Sequence, residues 1–293
     1  MNFFKYVFMK LGLYTPPAQT LTTTTASNMV DINVDGAVKV ALCIGINTYP
    51  NPANNLSGCV NDANDWANTL RTLYHFDATK VLLNSDATRS NFISNAEAMI
   101  ASKPDLFVIT NSSHGTRVDS DTEEDGYCEA ICLYDKFLMD HDFKTLLGKA
   151  DSNTKVVVIS DSCHSAGVTR EFLATMNDFS YESKPRYLPP QDNMEALRVS
   201  MIPIVKAIFE PRENMTEILL AGCKSDQYSY DANFDGRPNG AFTYYLLKII
   251  KENPSLTYSQ LIQKMSEFLP SGHYPQCPVL ETDDKNKDLV IFS

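Results

Sequence analysis

The sequence predicts an α/β fold built on a mostly parallel sheet. Three observations predict it: short continuous apolar runs rich in Val and Ile, stretches of helical periodicity between them, and short connections. At 293 residues the chain is long enough for a large core, and 43% hydrophobic with 21% charged residues is an ordinary globular balance.

The elements follow in order. "KVALCIGIN" (39–47) is an unbroken apolar run, suited to a strand buried on both faces. "DANDWANTLRTLY" (62–74) has helical spacing, "KVLLN" (80–84) returns to strand, and "SNFISNAEAMIASK" (90–103) is helical again. "DLFVITNSSHG" (105–115) is a strand that ends in His, "FKTLLGKA" a short helix, and "VVVISDSCHSAG" (156–167) a strand running into Asp, Cys and His. Residues 168–215 are polar and proline-rich, with one helix expected around "MEALRVSMIPIVKAIF", and read as a partly mobile connecting segment. "TEILLAGCKSDQ" (216–227) is a further strand, "GAFTYYLLKIIKENP" and "YSQLIQKMSEFL" are helices, and "KDLVIF" is expected to close the sheet as a strand. Residues 1–37, Thr-rich over much of their length, read as a flexible leader ahead of one domain spanning 38–292.

A net charge of −11 argues against nucleic acid or an anionic membrane as partner. No run reaches the length of a membrane span, and Lys5 and Lys10 interrupt the apolar N-terminus where a signal peptide would need continuity. Seven scattered cysteines without a second Cys/His pair fit free thiols in a reducing, cytoplasmic setting rather than a zinc site.

In a parallel sheet, chemistry gathers beyond the carboxyl ends of the strands, and two strands bring His114 and Cys163 there. A thiol becomes a strong nucleophile as thiolate, and an imidazole can take its proton and return it to a leaving amine. Gly115 and Cys163 could turn backbone N–H groups towards an oxyanion. A thiol beside an imidazole is partly ionised, so no third member is expected. His164, adjacent to the thiol, should point to the opposite face.

"SSHGT" and "DSCHSAG" resemble the His and Cys blocks of the metacaspases, members of the caspase-like cysteine peptidases. "ALCIGINTYPNPANNLSGCVNDANDWANTL" (41–70), "EEDGYCEAICLYD" (123–135) and "LAGCKSDQYSYD" with "NGAFTYYLL" (220–247) are similar to further blocks of that family, and the likeness spans roughly residues 38–292. The 49 residues from His114 to Cys163 match the spacing of about 50 in caspases. The resemblance implies a six-stranded sheet flanked by helices, divided into a large-subunit-like part (38–167), the connecting segment (168–215) and a small-subunit-like part (216–292). It implies peptide hydrolysis after Arg or Lys through a thioester, with the chain a monomer.

Carried over by motif position, Cys59, Asp62, Ser112 and Asp161 line the specificity pocket, with Asp226 as a further wall. Turn or cap chemistry is the alternative role for Asp161, and helix N-capping for Asp62. The chemistry calls for no cofactor. Calcium is a candidate activator, with Glu129, Asp140 and Asp142 as candidate ligands and Asp125 nearby, although Arg170 stands where another acidic ligand is expected. "DANFDG" (231–236) opens like an EF-hand loop but has Phe242 at the closing position, so it reads as a turn. Arg186, Arg198, Lys206 and Arg212 are candidate self-cleavage sites within a solvated loop, while Pro185 makes Lys184 a poor one. A paracaspase-type peptidase and a silent caspase-like scaffold are the competing readings.

Overall fold

A computed structural model describes Val34 and residues 36–119, 127–163, 183–189 and 217–293. The strands at its centre are β1 (Lys39–Gly45), β2 (Ala78–Leu83), β3 (Leu106–Ser112), β7 (Lys155–Asp161), β9 (Ile218–Ala221) and β12 (Val279–Glu281). They form one six-stranded sheet in the order β12-β9-β7-β3-β1-β2. Every pairing is parallel except β12 with β9.

Alternation along the strands divides the core in two. Val40, Leu42 and Ile44 of β1 face one side, packing with Phe92, Ala96 and Met99 of α2 (Arg89–Ala101) and Leu146 and Leu147 of α3 (Asp140–Leu147). Ala41 and Cys43 face the other, with Trp66 and Leu70 of α1 (Cys59–Leu73), Phe242 and Leu246 of α4 (Ala241–Glu252) and Leu261 of α5 (Tyr258–Met265). The result is the expected layering of helices on both faces of a sheet.

Smaller sheets flank the carboxyl edge: β4 (Gly115–Asp119), β5 (Tyr127–Cys132) and β6 (Phe137–Met139) in one, and β8 (Ser183–Pro185), β10 (Tyr230–Phe234) and β11 (Arg237–Gly240) in the other. "DANFDG" is indeed a turn, joining β10 to β11 as a hairpin, with Asp235 and Gly236 at positive φ.

"KDLVIF" is not a strand. The helical turn α6 (Asp284–Lys287) ends there, and a single bridge from Val290 to Thr257 follows. Ile291 and Phe292 are buried against the helical layer instead, Phe292 edge-on to Trp66 and Tyr74, so their apolarity serves a loop plug. The sheet edge is filled by the short β12. The helix expected around 194–209 and the leader before Val34 lie outside the described residues, as do Asp125, His164, Arg170, Arg198, Lys206 and Arg212.

Candidate active site

The β3–β7 register sets the geometry. Ser112 pairs with Asp161 at the last step, so His114 and Cys163 each emerge two residues beyond the same sheet edge. Both are buried. A Cβ on Gly115 would overlap the Cys163 carbonyl oxygen, so only glycine allows β4 to start this close to the thiol-bearing turn.

The imidazole is held from several sides. Its Nε2 lies 2.7 Å from the Asn54 carbonyl, in the 3-10 turn Pro52–Asn54. A carbonyl only accepts, so Nε2 carries the hydrogen and Nδ1 keeps a lone pair, without a partner among the described residues. The His114 N–H donates to the Tyr49 hydroxyl at 3.0 Å, and the tyrosine ring lies 5.2 Å from the imidazole. Asn54 is thus an orienting member that the sequence reading did not expect.

Residues 183–188 lie across this edge. Ser183, Lys184 and Pro185 pair antiparallel with β10, and the Arg186 N–H donates to the Ser229 carbonyl at 2.9 Å. The Arg186 carbonyl oxygen accepts from Gly115 N–H at 3.0 Å and from Cys163 N–H at 3.2 Å. Beyond it, Tyr187 bridges to Gly115, and Leu188 N–H donates to the Gly115 carbonyl at 2.9 Å.

The Arg186 side chain is wholly buried among three carboxylates. Its Nη2 donates to Asp62 at 2.6 Å and to Asp231 at 2.9 Å, and its Nη1 lies 3.2 Å from Asp161 Oδ2. Each carboxylate is also fixed by neutral donors. Asp62 accepts from Gly240 N–H and Asn239, and Asp231 from Ser57 and Gly58 N–H. Asp161 accepts from Ser229 Oγ and from the N–H and hydroxyl of Thr243. A cradle of three buried carboxylates around one cation carries an excess of negative charge, which suits a guanidinium and repels a carboxylate.

Docking also sets the titration of the pair. Burial pushes the Cys163 thiol well above its ordinary value, with the Cys223 thiol and the Asp161 charge adding to it. Burial lowers His114 to about 4, against the Asn54 hydrogen bond, with the Lys184 and Arg186 charges assisting. Cys163 is therefore a thiol here and His114 a neutral imidazole. The thiol sits against Ser229, whose N–H donates to Sγ at 2.9 Å.

The caspase-domain family model matches residues 38–290. The chain belongs to the caspase-domain family. Within it the chain is a metacaspase-like cysteine peptidase: it is 27% identical to Metacaspase-1 of Schizosaccharomyces pombe, over 86% of this chain and 69% of that protein. Metacaspase-9 of Arabidopsis thaliana is 23% identical over 87% of this chain and 97% of that one. Among solved structures, a Geobacter sulfurreducens protein superposes with a TM-score of 0.67 at 26% identity, covering 87% of this chain and 98% of its own. Caspase-1 of Spodoptera frugiperda, at 10% identity and TM-score 0.55 over 85% of this chain and 88% of its own, shares the fold.

The caspase domain brings most of the expected pocket residues together. Asp62 and Asp161 meet at Arg186. Cys59 is buried at the start of α1, close enough to feel the charges of Arg186 and the three carboxylates, and Ser112 is buried at the register position beside Asp161. Asp62 does not cap α1, whose N-cap is Gly58; its carboxylate turns to Arg186 and Gly240. Asp161 does both things: it accepts from the first turn of α4 and faces the guanidinium.

Asp226 is a correction. The chain turns at Lys224–Gln227, and Asp226 lines a separate cavity of about 1260 Å³ with Glu129, Asp140 and His141. The third carboxylate at Arg186 is Asp231, in the hairpin that sequence reading treated only as a turn. Of the candidate calcium ligands, Asp140 pairs with Lys144 at 2.7 Å and Asp142 with Arg89 at 2.9 Å. Among the described residues no three His, Cys, Asp or Glu side chains converge to hold a metal ion. Arg186 is not in a solvated loop: it is 0% exposed. No helix among the described residues is long and apolar enough to cross a membrane.

Proposed function

We propose that the chain is a cysteine endopeptidase cutting after Arg or Lys, and that its first substrate is its own Arg186–Tyr187 bond. One observation carries this: a single residue has its carbonyl oxygen between two backbone N–H donors and its guanidinium among three carboxylates. That is the arrangement an acyl-transfer site needs around the residue before the scissile bond.

In this reading His114 Nδ1 takes the Cys163 proton as sulfur attacks the Arg186 carbonyl carbon. Gly115 and Cys163 N–H groups stabilise the oxyanion. Collapse breaks the bond to the Tyr187 nitrogen, which takes the proton from His114, and leaves a thioester. Water, deprotonated by His114, then releases the Arg186 carboxylate and restores the thiol. The forked Arg186 contacts favour Arg over Lys, since one ammonium cannot meet three carboxylates in the same way. Free thiols at all seven cysteines support a reducing, cytoplasmic setting, and the enzyme is proposed to act as a monomer. No step calls on a cofactor; calcium as an activator is an arm of the test.

The test compares wild type with Cys163→Ala, with calcium and with chelator, by N-terminal sequencing and by hydrolysis of peptides ending in Arg, Lys or Asp. Expected are a wild-type fragment beginning Tyr-Leu-Pro-Pro and turnover after Arg and Lys, both lost in Cys163→Ala. Turnover after Asp alone overturns the pocket assignment. Intact chains in every lane with no turnover leave a silent scaffold.

A further inference from the structure

The docked segment continues past the scissile bond. Tyr187 packs its ring against Tyr228 in a tilted contact, with centroids 5.6 Å apart and planes at 53°, and the two lie in one cluster with Cys163 and Tyr230. Tyr228 is itself buried, so it is a fixed wall rather than a mobile surface group. The next residue is held more firmly. Leu188 N–H donates to the Gly115 carbonyl at 2.9 Å, and its own carbonyl accepts from Thr116 Oγ1 at 2.7 Å. The Leu188 side chain is 8% exposed and belongs to the core cluster that contains Val118, Ala130 and Ile131. Thr116 and Val118 lie on one face of β4, two residues apart, so one strand face supplies both a polar anchor and an apolar wall.

We propose that this cleft selects substrates on the leaving side of the bond: an aromatic residue immediately after the cleaved bond, seated on Tyr228, and an aliphatic residue next, seated against β4. The inference rests on the peptidase reading above and adds to it the substrate class: basic–aromatic–aliphatic sequences. The two backbone bonds to the second residue fix its register, and burial of its side chain separates Leu from polar residues by about tenfold or more.

The test uses the full chain and internally quenched peptides carrying Ser-Lys-Pro-Arg-Tyr-Leu-Pro-Pro, with Tyr→Gly and Leu→Asp versions, beside a Ser-Lys-Pro-Arg coumarin amide that has no residues after the bond. Each replacement is expected to lower kcat/KM at least about fivefold, with Leu→Asp the larger, about tenfold. If the coumarin amide is cut and the three peptides are cut equally, selection on the leaving side is overturned while the peptidase stands. If neither the coumarin amide nor any of the three peptides is cut, both readings fall. A second arm places Leu188→Asp in the chain itself. Slower appearance of the Tyr187 N-terminus together with faster coumarin amide hydrolysis is expected, because the cleft is less often filled. A parallel fall in both reports a folding defect and counts against the assignment.

Discussion

The guanidinium of Arg186 is the most informative side chain in the molecule. With one positive and three negative groups in a buried space, removing a carboxylate weakens a contact made in low dielectric, where breaking a buried pair costs about 3–5 kcal/mol. Asp161→Asn and Asp231→Asn should each lower kcat/KM for Arg peptides by about a hundredfold, measured by initial rates. Asp226→Asn, outside the carboxylate cradle of Arg186, should stay within about twofold. Gly115→Ala should abolish both self-cleavage and peptide turnover, since the added methyl meets the Cys163 carbonyl. At this scale the sequence was partly legible. Cys163, His114, Asp62 and Asp161 sit in distinctive local strings. Asp231 does not: nothing near it marks it as a pocket residue, and only the fold of β10 against β8 brings it to Arg186. Asn54 contributes a backbone carbonyl, which no side-chain pattern reveals.

The segment 183–188 behaves as one element, held by the β10 ladder on one side and Gly115 and Thr116 on the other. Its docking should depend on pH, with a definite sign. Docked, His114 is depressed to about 4 from an ordinary 6.5, by burial and by the charges of Lys184 and Arg186, so protonation disfavours the docked state. Stability from this source is present above about 6.5 and lost as pH falls towards 4. Hydrogen exchange at the Arg186 and Leu188 amides should therefore accelerate as pH falls from 7 to 4, after correction for intrinsic rates. Constant protection across that range would refute the coupling. Among elements, the long buried strands were readable because continuous Val/Ile runs have no other comfortable place. The three-residue β8 and β12 were not: their residues are partly exposed and carry no periodic signal.

At the scale of the molecule, a cut after Arg186 would leave residues 1–186 and 187–293 as separate chains. They should not part. β9 pairs with β7 across the cut, and α4 and α5 complete the core face that also holds α1. The two pieces should co-elute in gel filtration under native conditions and separate only in denaturant; separation without denaturant would show that the sheet needs the covalent link. The layered architecture was legible from element alternation alone, because that alternation permits few topologies. What occupies the cleft was not, since it depends on a loop returning to a sheet edge far from it in sequence. That return has a kinetic meaning. A ligand carried on the same polypeptide competes at an effective concentration on the order of millimolar. An outside peptide of micromolar affinity and micromolar abundance would be outcompeted by the tethered one. The uncut molecule would then count its own Arg186 as the resident ligand, and foreign substrates would compete on equal terms only after that ligand had been severed or displaced.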